Sequence, residues 1–239
     1  MQPLTSPGAG PIPGVPAQQP TNLFRYGEIT LYSTHAMAHG TDLANQNFRI
    51  FSTPLGAQGQ GYPAGQGLTK SETNLKEGGR IPSGQAYDVY GVATQILGAE
   101  TVSNAIGDQC VPFATPSMIQ DLQNVVNNGV LAYDFTQTTV DICPMMLAGA
   151  GGGVFGSIAQ NAASAGTGAM NNGNGGIWMY RKHPVALPGS TTFAVLLQFG
   201  SRACSVAGTY EDASGDTLDA SIAIRVVLLG FYRSVIEIG

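Results

Sequence analysis

The sequence predicts an all-β domain built as a two-sheet sandwich, with one short helix and an extended N-terminal arm. Three observations carry that expectation. The 33 Gly and 14 Pro make turns frequent. Val, Ile, Thr, Phe and Tyr fill the segments between the turns, and these residue types suit a pleated, half-buried surface. The most regular segment, 191–200, repeats with period 2: Phe193, Val195, Leu197 and Phe199 alternate with Thr192, Ala194, Leu196 and Gln198. A chain of 239 residues can bury one sizeable core, and sandwiches of this size commonly form a single domain. The expected division is an arm at 1–20 and one domain at 21–239.

The arm holds Pro3, Pro7, Pro11, Pro13, Pro16 and Pro20 and no charged residue. Such a segment forms neither helix nor central strand and is expected to be extended. Its apolar residues Leu4, Ile12 and Val15, with no charge to solvate them, point to ordering along a neighbouring subunit. A basic arm that neutralises packaged nucleic acid is excluded by the same composition. The first residues also lack the basic and apolar regions of a secretory signal, so export by that route is not expected.

Strands are expected at 23–33 and 48–55, followed by a flexible polar loop at 56–67 that neighbouring subunits would order. A third strand, 87–97, starts from the turn Pro82-Ser83-Gly84. One helix follows. Thr115 can cap it, Pro116 suits its first position, Met118, Ile119, Leu122, Val125 and Val126 share a face, and Gly129 can end it. Further strands are expected at 130–136, 139–147, 177–187, 191–200 and 222–238. In the last, Ile222, Ile224, Val226 and Leu228 form one face, while Val227, Leu229 and Phe231 lie on the other between Arg225 and Arg233. A strand apolar on both faces belongs in a sheet whose outer surface is also covered. Roughly eight strands with one helix fit a two-sheet jelly roll.

Charge is scarce: Lys+Arg number 10 and Asp+Glu 15, and residues 1–24 and 142–180 contain none. An average soluble domain is roughly 25% charged, and a free monomer relies on charged, patch-free surface for solubility. Gly, Pro, Asn and Gln interrupt both stretches, so neither is a membrane span. Other copies of protein are the expected cover, through the arm, the 142–180 region, and Val227, Leu229 and Phe231. The net charge of -5 argues against direct, sequence-specific nucleic-acid binding. Cys110, Cys143 and Cys204 are odd in number and far apart, which indicates buried thiols rather than disulfides or a zinc site.

Catalytic patterns are weak. Gly151-Gly152-Gly153-Val154-Phe155-Gly156 formally matches a dinucleotide-binding turn, but no acidic residue lies between Asp141 and Glu211. His35 and His39 are four apart without the general-base Glu of a hydrolytic zinc motif, and are expected in a loop or interface. Arg181-Lys182-His183 is a lone basic cluster, more suited to a subunit or solvent contact than to nucleic acid. Asp212, Asp216 and Asp219, with Glu211, form the densest acidic segment; they are weak calcium candidates, and the stronger expectation is a solvated hairpin tip. No enzyme activity and no cofactor are expected.

Thr73-Asn74-Leu75 followed by Gly79-Arg80-Ile81-Pro82-Ser83-Gly84-Gln85-Ala86-Tyr87-Asp88-Val89-Tyr90-Gly91-Val92 resembles the opening of jelly-roll major capsid proteins of tailless icosahedral bacteriophages. Leu147-Ala148-Gly149-Ala150-Gly151, Pro188-Gly189 before Phe193-Ala194-Val195, and Leu229-Gly230-Phe231-Tyr232-Arg233 are similar in style. The resemblance spans residues 23–239. It implies a virion shell protein that assembles with copies of itself as trimers or higher capsomers, beside other capsid proteins and often around an internal lipid membrane. Two eight-stranded barrels would be cramped after the arm, so a single barrel is expected. Two other readings stand beside it: an extracellular filament or surface-layer subunit, which shares the low charge, and a calcium-dependent carbohydrate-binding jelly roll, in which exposed aromatics would stack on sugars and Asp212, Asp216 and Asp219 would bind calcium.

Overall fold

Two long antiparallel strands form the spine of the molecule: β4 (Gln85–Val102) and β14 (Thr217–Glu237), paired from Ala220 opposite Glu100 to Ser234 opposite Gln85. A computed structural model describes residues 22–102, 105–111, 115–135, 138–149, 155–159, 167–171, 176–180 and 182–237. Leu4, Ile12, Val15 and the rest of the arm lie outside the described residues, as do 150–154 and Arg181.

Short strands line both outer edges of this ribbon. Along β14 lie β1 (Asn22–Glu28), β2 (Leu31–Met37) and β13 (Thr209–Glu211). Along β4 lie β5 (Ala105–Cys110), β10 (Trp178–Met179) and β11 (Val185–Leu187). A second sheet runs β3 (Asn47–Ile50), β12 (Phe193–Phe199), β6 (Gly129–Phe135), β7 (Thr138–Pro144). A separate hairpin joins β8 (Phe155–Ala159) to β9 (Thr167–Asn171). The chain is all-β with one α-helix among the described residues.

The core fills the space between the two sheets. Ile222, Ile224, Val226 and Leu228 of β14 and Tyr87, Val89, Val92 and Ile96 of β4 face Leu131, Tyr133, Phe193, Val195 and Leu197 of the smaller sheet. The period-2 pattern of 191–200 places Phe193, Val195, Leu197 and Phe199 in that core. Helix α1 (Pro116–Asn128) caps one end, burying Met118, Ile119, Leu122 and Val125. Thr115 accepts the Met118 N–H at 3.3 Å, as its position requires. Gly129 closes the helix in extended backbone and leads straight into β6.

Several expected strands are redrawn. The strand expected at 23–33 becomes β1 and β2, which keep one register against β14, Glu28 opposite Phe231 and Leu31 opposite Leu228. Between them the Tyr87 hydroxyl lies 2.5 Å from the Ile29 carbonyl and 2.8 Å from that of Leu228, serving acceptors at the break in the ladder. The strand expected at 48–55 stops at Ile50, because Phe51 turns left-handed at φ 70°. Residues 145–147 form a 3-10 turn, and 177–187 divides into β10 and β11. Strands β5, β8, β9 and β13 were not expected.

The cysteine expectation is corrected at one position. Cys143 is buried in β7, but Cys204 is exposed in the turn after β12, where the chain leaves the core. The side chain of Cys110 lies outside the described residues. His35 is also reassigned: it sits in β2 in the core, its ring 5.1 Å from that of Phe48. The end of β2 and the turn after it, not a helix, separate it from His39, whose Nδ1 lies 3.0 Å from the Gly208 carbonyl.

Candidate assembly surface

The outer face of the large sheet is covered at one end by the chain itself. Residues 55–73 fold over it, tied by Gly56 N–H to the Leu68 carbonyl at 2.8 Å and Leu68 N–H to that of Ala57 at 2.9 Å. Tyr62 and Leu68 bury themselves against Ala36, Ala99, Ile106 and Ala223, a cluster separate from the main core. The small alanines of the sheet leave room for these larger side chains. Arg225 anchors the segment: its Nη2 donates to the Ser71 carbonyl at 2.6 Å, Nε to Thr34 at 3.3 Å and Nη1 to Gln95 at 3.3 Å. The loop expected to be flexible until neighbours order it is therefore packed on its own subunit.

Beyond Arg225 this cover ends and apolar side chains face outward. The positions alternate along β14, so that Val227 and Leu229 are half-buried and Phe231 is 42% exposed. Tyr90 meets the Phe231 ring edge-on, with centroids 5.2 Å apart. A register shift between Leu229 and Gly230 accommodates one extra residue in β4, Leu229 pairing with Gly91 and Gly230 with Val89. That bulge sets Tyr90 beside Gly91 on the outer surface. Gly91 has no side chain for a reason: a Cβ there would fall 2.7 Å from the sulfur of Met179, 3.1 Å from Ile177 and 3.3 Å from Leu229. Met179 and Ile177 thus lie close over the sheet while remaining 51% and 45% exposed.

The patch therefore consists of Val227, Leu229, Phe231, Tyr90, Ile177 and Met179. At its margin Arg233 grips Asp88, Nη2 donating to Oδ1 at 3.0 Å and Nε 2.8 Å from Oδ2. A charged pair beside an apolar patch is the arrangement of core and rim in protein interfaces, which favour aromatics, Met and Arg. The three β14 positions were legible from their alternation. Tyr90, Ile177 and Met179 were not, because a bulge and a two-residue strand bring them there.

The acidic segment has a different structure. Asp212 Oδ1 accepts the N–H groups of Ser214 and Asp216, each at 2.9 Å, and Gly215 takes φ 86° in the turn joining β13 to β14. Asp212 is thus occupied as a turn former. Asp219 lies further along β14, its carboxylate 3.7 Å from His39 Nε2, and Asp216 points to solvent. No group of three His, Cys, Asp or Glu side chains able to hold a metal gathers among the described residues. Lys182 and His183 are exposed beside β11. In place of the helix that a dinucleotide turn requires, Phe155 and Gly156 enter β8, opposite Asn171 and Met170 of β9.

No helix among the described residues is long and apolar enough to cross a membrane. A scan of protein-family models finds no match, and no curated protein is detectably similar in sequence.

Proposed function

We propose that this chain is a structural subunit of a closed shell, a major capsid protein that assembles with copies of itself in a virion. The observation that carries the reading is the outward apolar patch of Phe231, Leu229, Tyr90, Met179 and Ile177 on a sheet whose other end the chain covers itself. An exposed apolar patch rimmed by polar residues marks an interaction surface, and a subunit with few charges needs such a surface covered. Copies can share one patch throughout a shell because symmetric positions reuse the same contacts.

The strand nesting supports a single jelly roll. β2 pairs with β14, β3 with β12, β4 with β10 and β11, and β6 with β7. Strands from the two halves of the chain are matched from the outside inward, as when one antiparallel ribbon wraps into two sheets. This fold hosts unrelated functions, so the assembly reading rests on the patch and the charge distribution rather than on topology. Other capsid proteins and an internal lipid layer are the further partners that go with the reading, and the chain itself makes no sequence-specific contact with nucleic acid.

Electron microscopy of the purified full-length chain tests the proposal. Closed particles are expected, and Phe231→Asp with Met179→Asp should leave dispersed protein with an essentially unchanged melting temperature, since both side chains are half in solvent already. Open filaments would move the assignment to a filament or surface-layer subunit. Wild-type monomers, or a calcium-dependent monomer that binds glycans, would overturn it.

A further inference from the structure

At the end of the sandwich where β1 passes along β14, a cleft of about 610 Å³ opens between the large sheet and the 74–82 segment. Its floor is apolar, formed by Leu31, Leu75, Ile81 and the fully buried Tyr87, with Tyr232 and Pro82 on its walls. Lys76 and Arg80 stand on the rim, exposed, and neither forms an ion pair among the described residues. The cleft therefore combines one aromatic wall, Tyr232, with an apolar base and, among the described residues, unpaired side-chain hydrogen-bond donors.

We infer that this cleft receives the N-terminal arm, residues 1–20, of a neighbouring copy of the chain. Proline-rich segments dock into aromatic-lined grooves because their extended form is already organised and loses little entropy. The arm matches on a second count: its six prolines lack N–H groups, so its carbonyls outnumber its donors, and the rim supplies donors from Lys76 and Arg80. It carries no charge that the apolar floor would have to desolvate. The chain direction selects a neighbour as the source. β1 runs from Asn22 along the cleft, whose walls include Gly27 and Ser234, the partner of Arg25, so an extended arm that continues the line of β1 leads away from the cleft of its own chain. An extended arm spans about 60 Å at ~3.1 Å per residue, enough to reach another subunit without reversing.

The inference rests on the self-assembly reading and is tested separately from it. A benzophenone amino acid is placed at position 12 of the full-length chain, heavy-nitrogen and ordinary chains are mixed before assembly, and photo-cross-linked peptides are identified by mass spectrometry. The expected product joins the arm to residues 74–82 or 227–234 of a chain of the other isotope. Ile29→Asp, which puts a carboxylate on the half-exposed cleft lip, should lower the yield about tenfold without altering the melting temperature. Particles whose arms cross-link elsewhere, or only within their own chain, would refute the cleft assignment and leave assembly standing. An absence of particles together with an absence of mixed-isotope products would refute both.

Discussion

Asp121 of helix α1 accepts the backbone N–H of Gly208 at 2.6 Å, joining the only described helix to the segment that leads into β13. The same carboxylate accepts Ala207 N–H at 2.9 Å and is almost fully buried. Burial raises its pKa, and the two N–H groups oppose that rise. Asp121→Ala would strand two donors and should cost about 2–4 kcal/mol, read from urea unfolding. Asp121→Asn retains an acceptor and should cost less. Gly208→Ala should also destabilise, because a Cβ would fall 2.9 Å from Asp121 Oδ2 and 3.2 Å from the Met118 Cα. Equal stabilities for wild type and Asp121→Ala would show that this contact does not hold the helix in place.

The core imidazole of His35 makes stability depend on pH. Burial lowers its pKa from 6.5 to about 4. Between those values the unfolded chain takes up a proton that the folded chain refuses, so stability falls as pH drops through 6.5 and levels off below about 4. The full effect is about 3 kcal/mol. Asp121 acts in the opposite sense, since a raised carboxyl pKa lets the folded state bind protons first. Urea unfolding across this range should therefore show a shallower decline for His35→Leu than for wild type. Parallel curves would place the pH dependence elsewhere.

The thiols of Cys143 and Cys204 should respond differently to maleimide. Cys143 is buried, and burial pushes its pKa up to about 11, which removes the reactive thiolate at neutral pH. Cys204 is exposed. Peptide mapping of the native protein should find Cys204 modified promptly and Cys143 only after unfolding. Modification of both at similar rates would contradict the burial of β7.

Residues 55–73 should resist protease even in unassembled protein, since Leu68 and Tyr62 hold them to Ala36, Ala99 and Ala223. Leu68→Ala removes a nearly inaccessible side chain and should cost about 2–4 kcal/mol. Rapid cleavage between 56 and 67 in the wild-type monomer would mean that neighbours, not the sheet, order this segment.

The elements most legible in the sequence are those whose signals are local. Thr115, Pro116 and the apolar face from Met118 to Val125 define the helix because capping and period both act within a few residues. Phe193 to Phe199 announces a strand by alternation, and Val227, Leu229 and Phe231 announce an outer apolar face in the same way. Asp121 was illegible. A carboxylate on a buried helical face makes sense only once Ala207 and Gly208 are known to lie against it, more than eighty positions later in the chain.

Composition and periodicity alone determined that this chain is all-β, poor in charge and apolar on both faces of its last strand, because hydrophobic alternation and residue preference are properties of neighbouring positions. Tertiary structure decided which part of the outer face the chain covers itself and which it leaves open. That outcome depends on long-range fits: Leu68 and Tyr62 over alanines at one end, and Met179 over Gly91 at the other. It also decided that Asp212 shapes a turn, that His35 enters the core, and that Cys204 stays outside it. Burial and close approach arise between residues distant in the chain, so only the folded arrangement sets them.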